Sequence, residues 1–273
     1  MNNLLLTYLR KFPIEYGKHW LADKVNLPHK IVEYTSTHNI TWSLDLDEYQ
    51  MRQIYLYDIY EKNTIRHLLK LCKPNYTFID VGTNIGFYSI TMAKFLSQGQ
   101  VHSFEPNPYI FKLFQNNLAL NNLPNIKANP FGLSDKSETL TIRFSKSNLG
   151  TSSVYKTNSD FSETIQLRPF DEYCNENNIQ NIDVIKVDIE GGELSFLKGA
   201  TKTINRMPKL ILVMEIIEEH CKKAGYSPNE LLDYVTKTLG FTAYLPKPYP
   251  FPLKKVDTIL SGYNDNIIFL KGY

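Results

Sequence analysis

Cysteine is scarce in this chain. The 273 residues hold three, Cys72, Cys174 and Cys221, an odd number without any C-x-x-C spacing. That excludes a disulfide framework and a cysteine-built zinc site and predicts reduced, mostly buried thiols. The six histidines show no metal-ligand spacing, so no metal centre is expected. Long apolar runs are missing as well: none approaches the ~20 residues a helix needs to span a bilayer. Leu4-Leu5-Leu6 has no basic residue before it and no small-residue cleavage site after it, which argues against a secretory leader and makes the cytoplasm the expected location. Nor is one sign of charge in excess, since 30 basic residues face 28 acidic ones, and basic pairs such as Lys222-Lys223 and Lys254-Lys255 are short. No nucleic-acid footprint is therefore expected.

What the chain does have is a 42% hydrophobic composition, enough for one sizeable core plus an appended segment. The main domain is predicted over residues 66–273, behind an extension, 1–65, that holds short helices, a strand over 40–46 and a tyrosine-rich stretch over 49–60. From Phe78 to about Glu215, short β-branched runs alternate with helical patterns, the signature of βαβ units on a parallel sheet. The strands are predicted over 77–81, 100–104, 126–129, 182–187 and 210–214. Two further strands, 140–144 and 164–167, read as an added β-hairpin whose long polar loop contains Gly150-Thr151-Ser152-Ser153. Beyond the fifth strand come a helix over 228–239 and strands over 241–245 and 266–270. The proline-rich stretch between those last two reads either as a lip over a pocket or as a connector.

The most informative run is Phe78-Ile79-Asp80-Val81-Gly82-Thr83-Asn84-Ile85-Gly86-Phe87-Tyr88, a strand, a glycine turn and a helix start. Gly82 and Gly86 would let a ligand approach the backbone, although the same glycines would serve tight helix–strand packing. Dinucleotide enzymes carry G-x-G-x-x-G at this turn, whereas Asn84 stands here where the second glycine would be. Asp80 is instead placed to receive the ammonium end of an amino-acid-bearing cofactor, which points to S-adenosyl-L-methionine. In an open parallel sheet ligands collect at the carboxyl ends of the strands. Acidic residues recur there: Asp80, Glu105, Asp135, Asp188 and Glu215. Glu105, one βαβ step beyond Asp80, could accept ribose hydroxyls or cap its following helix.

The chain resembles the FkbM-type S-adenosylmethionine-dependent methyltransferases. The resemblance lies in Phe-Ile-Asp-Val-Gly-Thr-Asn-Ile-Gly-Phe-Tyr-Ser at 78–89, Ser-Phe-Glu-Pro-Asn-Pro at 103–108, Leu-Ser-Asp at 133–135 and Ile-Lys-Val-Asp-Ile-Glu-Gly-Gly-Glu at 185–193. It implies an α/β fold, a Rossmann-like class I methyltransferase sheet, mostly parallel with its last strand antiparallel, with helices on both faces. It also implies that Asp80, Gly82, Asn84 and Gly86 hold the methionine portion of the cofactor. Glu105 and Asn107 would take the ribose, Ser134 and Asp135 the adenine edge, and Glu61 a further contact. Asp188, Glu190 and Glu215 become the candidates for orienting the acceptor and taking its proton. Two residues depart from the family pattern: Gly192 stands where alanine is usual, and Ile217 where a histidine often follows the strand-five glutamate, with His220 three residues on. An inherited histidine base is thus not expected. The implied reaction is O-methylation of a hydroxyl on a sugar, glycan or small natural-product-like metabolite. A nicotinamide-dependent Rossmann oxidoreductase and a non-catalytic cofactor-binding partner protein are the competing readings.

Overall fold

A computed structural model describes residues 2–11, 18–22, 25–145, 148–153 and 161–273. A hairpin of β1 (Ile31–Thr35) and β2 (Thr41–Asp45) comes first. The central strands follow: β3 (Thr77–Val81), β4 (Gln100–Phe104) and β5 (Ile126–Asn129). Next is a group of four, β6 (Gly132–Ser134), β7 (Glu138–Ser145), β8 (Asn148–Ser153) and β9 (Phe161–Pro169). The central sheet resumes with β10 (Val184–Val187) and β11 (Leu210–Ile217), and ends with β12 (Thr242–Leu245), β13 (Lys254–Lys255) and β14 (Asn264–Lys271).

The eight-stranded sheet has the order β13-β12-β14-β11-β10-β3-β4-β5. Its five central members, β11 to β5, run parallel, and β14 pairs antiparallel with β11. The chain moves outward from β3 through β4 to β5 and returns on the other side at β10, so the strand order reverses between β3 and β10, where open α/β sheets bind ligands.

Strand alternation divides the apolar residues between two cores. Ile79, Val81, Ile185, Val187, Leu212 and Met214 join one, against Phe196, Leu197 and Leu231. Phe78, Val101, Val184, Ile211 and Val213 join the other, against Ile90, Met92 and Leu68. Helices thus cover both faces, each fully buried aliphatic side chain being worth roughly 1.5–3 kcal/mol. Asp80, Lys186 and Glu215 fall in phase with the second set. That face therefore turns from apolar to ionic at the carboxyl end of the strands.

The added hairpin proves to be part of a four-stranded sheet, order β6-β9-β7-β8, because Gly132–Ser134 pairs parallel with β9 and β8 adds beyond β7. The loop residues 146–147 and 154–160, and the side chains of Gly150 to Ser153, lie outside the described residues. Packing places no boundary at residue 65. Ile40, Trp42, Leu44, Met51 and Ile54 are buried in the same cluster as Phe78 and Val184, whereas Leu6, Leu9, Val25 and Leu56 form a small cluster of their own. The proline-rich stretch is a connector. The Lys247 carbonyl takes a hydrogen bond from His67 Nε2 at 2.8 Å, and the Tyr249 amide donates to Asn63 Oδ1 at 3.3 Å.

Candidate active site

A cavity of about 620 Å³ opens over the strand-order reversal. On β3, Asp80 is buried with its Oδ2 accepting from Ser89 Oγ, which lies 2.6 Å from Ser103 Oγ. The turn that follows is fixed from below, since the amides of Gly82 and Thr83 both donate to the Phe104 carbonyl at 3.0 Å. Gly82 (φ +85°), Asn84 (φ +52°) and Gly86 (φ +99°) all adopt left-handed backbone. A Cβ on Gly82 would meet the Asp188 carbonyl oxygen at 1.8 Å, and one on Gly86 the Phe114 ring at 2.4 Å. The space left by both missing side chains is thus filled by protein, the close helix–strand packing that these glycines also allow. Gly82 still presents backbone to the cavity; Gly86 is off its wall.

Glu105 is locked by two amides. Asn84 N–H donates to Oε2 at 3.0 Å and Asn107 N–H to Oε1 at 2.9 Å, leaving the other lone pairs of each oxygen for further donors. Asn107 lies behind it, wholly buried and off the cavity wall, its Oδ1 accepting from the Tyr109 and Ile110 amides as N-cap of the helix Pro108–Asn121. It therefore positions Glu105 and does not reach the cavity. Ser134 is buried on the wall, whereas Asp135 is exposed, off the wall, and accepts from Ser134 Oγ at 3.2 Å. The adenine-edge assignment of Asp135 is corrected accordingly.

Glu61, at φ +44°, lines a second cavity of about 380 Å³ instead, separated from the first by Tyr49 and Tyr60, which line both. Its Oε2 accepts from Tyr88 Oη at 2.6 Å and from Asn266 Nδ2 at 2.7 Å. Asn266 is brought there by β14, where it stands opposite Glu215 in the ladder.

At the carboxyl ends of β10 and β11 the three catalytic candidates converge. Asp188, Glu190 and Glu215 each place a carboxylate oxygen within 4.8 Å of the others, a spacing that would admit a cation. Basic side chains are already there. Lys186 Nζ lies 3.2 Å from Asp188 Oδ2, and His220 Nδ1 lies 2.7 Å from Glu190 Oε2. Lys186 has no accessible side-chain surface, stands in register with Asp80 across the β3–β10 ladder, and sits 5.1 Å from the centre of the Tyr88 ring.

Ionisation follows from this crowding. Burial pushes the Asp80 carboxyl up to about 6 and that of Glu105 up to about 7. Asp188 beside it, and then burial, push Glu215 up to about 10. Burial raises Glu61 and Glu190 as well, and Lys186, despite its own burial, is raised by Asp188, Glu61 and Glu215. Sequence reading missed Lys186, though a lysine in the buried strand Val-Ile-Lys-Val is an available signal. It also missed Asn266 and Tyr88, whose roles depend on pairing that no local pattern reveals. Glu193 is structural: it accepts from the Gly191 amide at 3.1 Å and from Tyr226 Oη at 2.7 Å.

A parallel sheet in this order, closed by an antiparallel strand and carrying acids at its switch point, defines a class I methyltransferase architecture. Over residues 80–242 the chain matches the methyltransferase FkbM domain. Methyltransferase 1 from Beauveria bassiana is 30% identical over 201 residues, 64% of this chain and 76% of that one. Hexuronic acid methyltransferase AglP from Haloferax volcanii is 30% identical over 181 residues, 66% of this chain and 68% of that one. The cofactor-bound Rv0187 from MTB aligns with a TM-score of 0.46 and 12% identity, covering 77% of this chain and 79% of that one. The chain belongs to the FkbM family of S-adenosylmethionine-dependent methyltransferases. That membership displaces the nicotinamide reading. Among the described residues no helix is long and apolar enough to cross a membrane.

Proposed function

We propose that this enzyme methylates a hydroxyl of a sugar or other small polar acceptor. The observation that carries the reading is electrostatic: Asp80, Glu105, Asp188, Glu190 and Glu215 line one cavity whose wall also carries the Lys186 ammonium and, paired with Glu190, the His220 imidazole. Desolvated acids in that excess favour a ligand of net positive charge. S-adenosylmethionine fits, because its ammonium and sulfonium outnumber its carboxylate. The buried Asn84 Oδ1, without a hydrogen-bond partner among the described residues, offers one more acceptor on the same wall.

In this reading Asp80 takes the ammonium end, beside the backbone of Gly82 and the side chain of Asn84. Glu105 accepts the ribose hydroxyls with the lone pairs its two amides leave over, and Ser134 meets the adenine edge. Gly86, Asn107, Asp135 and Glu61 support this arrangement from behind. When bound, the cofactor supplies an electrophilic methyl group. Asp188, fixed by Lys186, then orients the acceptor, and orientation of this kind can supply about 7–11 kcal/mol of the barrier. The Haloferax volcanii relative, named for a hexuronic acid, favours a sugar-type acceptor. The test is transfer of labelled methyl to a panel of sugars and hexuronic acids, with the product bond identified by mass spectrometry and NMR. A methyl ether on a sugar is expected; methylation confined to nitrogen, or no affinity for S-adenosylmethionine, would overturn the proposal.

A further inference from the structure

We propose that His220, held by Glu190, takes the acceptor's proton. The inference rests on the O-methylation reading above. β11 runs on to Ile217 and the helix Glu218–Lys223 starts at once, which turns His220 back onto the cavity wall. There Glu190 meets it, from a backbone at φ +57°, a conformation a residue with a Cβ adopts only at a cost. Strain retained at a cavity wall, in a loop that delivers a carboxylate to an imidazole, calls for a function.

The pairing settles the chemistry of the ring. With Glu190 accepting from Nδ1–H at 2.7 Å, the neutral imidazole keeps its lone pair on Nε2. The charged groups around it are Glu190 and Glu193 from the loop and helix after β10, and Glu219 and Lys223 from its own helix. Asp188 and Glu215 stand beyond Glu190. The hydrogen bond from Glu190 raises the imidazole, with Glu193 adding to it, while burial and Lys223 oppose. Neither other candidate suits the task as well. Asp188 beside it and burial push the Glu215 carboxyl up, which favours its protonated form, and Asp188 is engaged by Lys186.

The step balances. The acceptor oxygen forms its bond to the methyl carbon, the carbon–sulfur bond breaks with its pair left on sulfur, and the hydroxyl proton passes to Nε2. One positive charge leaves sulfur as one appears on the imidazole, facing the Glu190 carboxylate. A sulfonium nearby would hold His220 neutral before transfer, and the uncharged thioether would let it keep the proton afterwards.

The test needs no acceptor. The wild-type protein, ¹⁵N-labelled, is titrated by NMR in complex with S-adenosylmethionine and, separately, with S-adenosylhomocysteine, the His220 signals being assigned by their loss in His220→Gln. Neutral His220 should carry its proton on Nδ1, and its pKa should stand about one unit or more higher with S-adenosylhomocysteine. Glu190→Gln should lower it in both complexes. A histidine that served structure alone, away from the reacting atoms, would titrate alike in the two. Equal values, or a proton on Nε2, would overturn the assignment of His220 while leaving the methyltransferase reading intact. Failure of both ligands to bind would instead strike the functional reading and this inference with it.

Discussion

Lys186 has no accessible side-chain surface, yet its charge is the one on which Asp80, Asp188, Glu61 and Glu215 all act. Removing one partner of a buried ionic group leaves the others uncompensated, which typically costs about 3–5 kcal/mol. Lys186→Met should therefore lose about that much stability at pH 8 in urea unfolding. The loss should shrink as pH falls toward 5, because the acids it abandons can take up protons. Asp80 predicts the opposite sign. Its folded value, about 6, lies above the ordinary 3.8, so the folded state binds the extra proton. Stability is accordingly intact near pH 4 and declines as pH rises through 6, by about 3 kcal/mol at most. Asp80→Asn should flatten that decline and melt higher than the wild type at pH 8, while binding S-adenosylmethionine at least tenfold more weakly by calorimetry. A variant that melts lower at pH 8 would show that the carboxylate is better solvated than its burial implies.

At the scale of elements, two joints hold the site in place. Asn117, wholly buried in the helix Pro108–Asn121, accepts from the Ser43 amide at 2.8 Å and donates to the Ile85 carbonyl at 3.0 Å, tying the β1–β2 hairpin to the glycine turn. Asn117→Ala strands both backbone groups, and a loss of roughly 2–4 kcal/mol is expected in denaturant unfolding. Gly82→Ala drives a methyl group into the Asp188 carbonyl and strains a left-handed backbone. It should cost more than about 2 kcal/mol and displace Asp188, so cofactor affinity and turnover should fall together. These joints mark what the sequence could and could not disclose. β3, β4 and β5 match the predicted bounds, and in β3 the reason is plain: Phe78 to Val81 are buried, and a strand covered on both faces is a short, mostly apolar run with sharp ends. β1 escaped notice because none of its residues is fully buried, and β6 because its three residues gain their identity from pairing with β9 much later in the chain. Asp80, Glu105 and Asp188 were legible because the topology itself collects strand ends. Asn266 reaches Glu61 across 205 positions of sequence and His220 reaches Glu190 across a helix start, contacts that only the folded chain creates.

For the whole molecule, the acids at the switch point make ligand binding and proton uptake a single equilibrium. Burial pushes the Asp80 carboxyl up to about 6, even with Lys186 on the same cavity wall, and that of Glu105 up to about 7. A cation beside Asp80 and ribose hydroxyls donating to Glu105 each favour the ionised form, so binding must expel whatever protons those groups carry. Affinity for S-adenosylmethionine should therefore rise with pH, by up to about tenfold per unit for each group below its own value, and level off above pH 8. S-adenosylhomocysteine keeps the ribose and the ammonium, the groups that would meet Glu105 and Asp80, so its affinity should follow the same course. Calorimetry in buffers of different ionisation enthalpy reads this directly, as net proton release near pH 6.5 that is reduced in Asp80→Asn. Proton release identical in wild type and variant would place the linkage on other groups, with Glu61 and Glu190, both raised by burial, next in line.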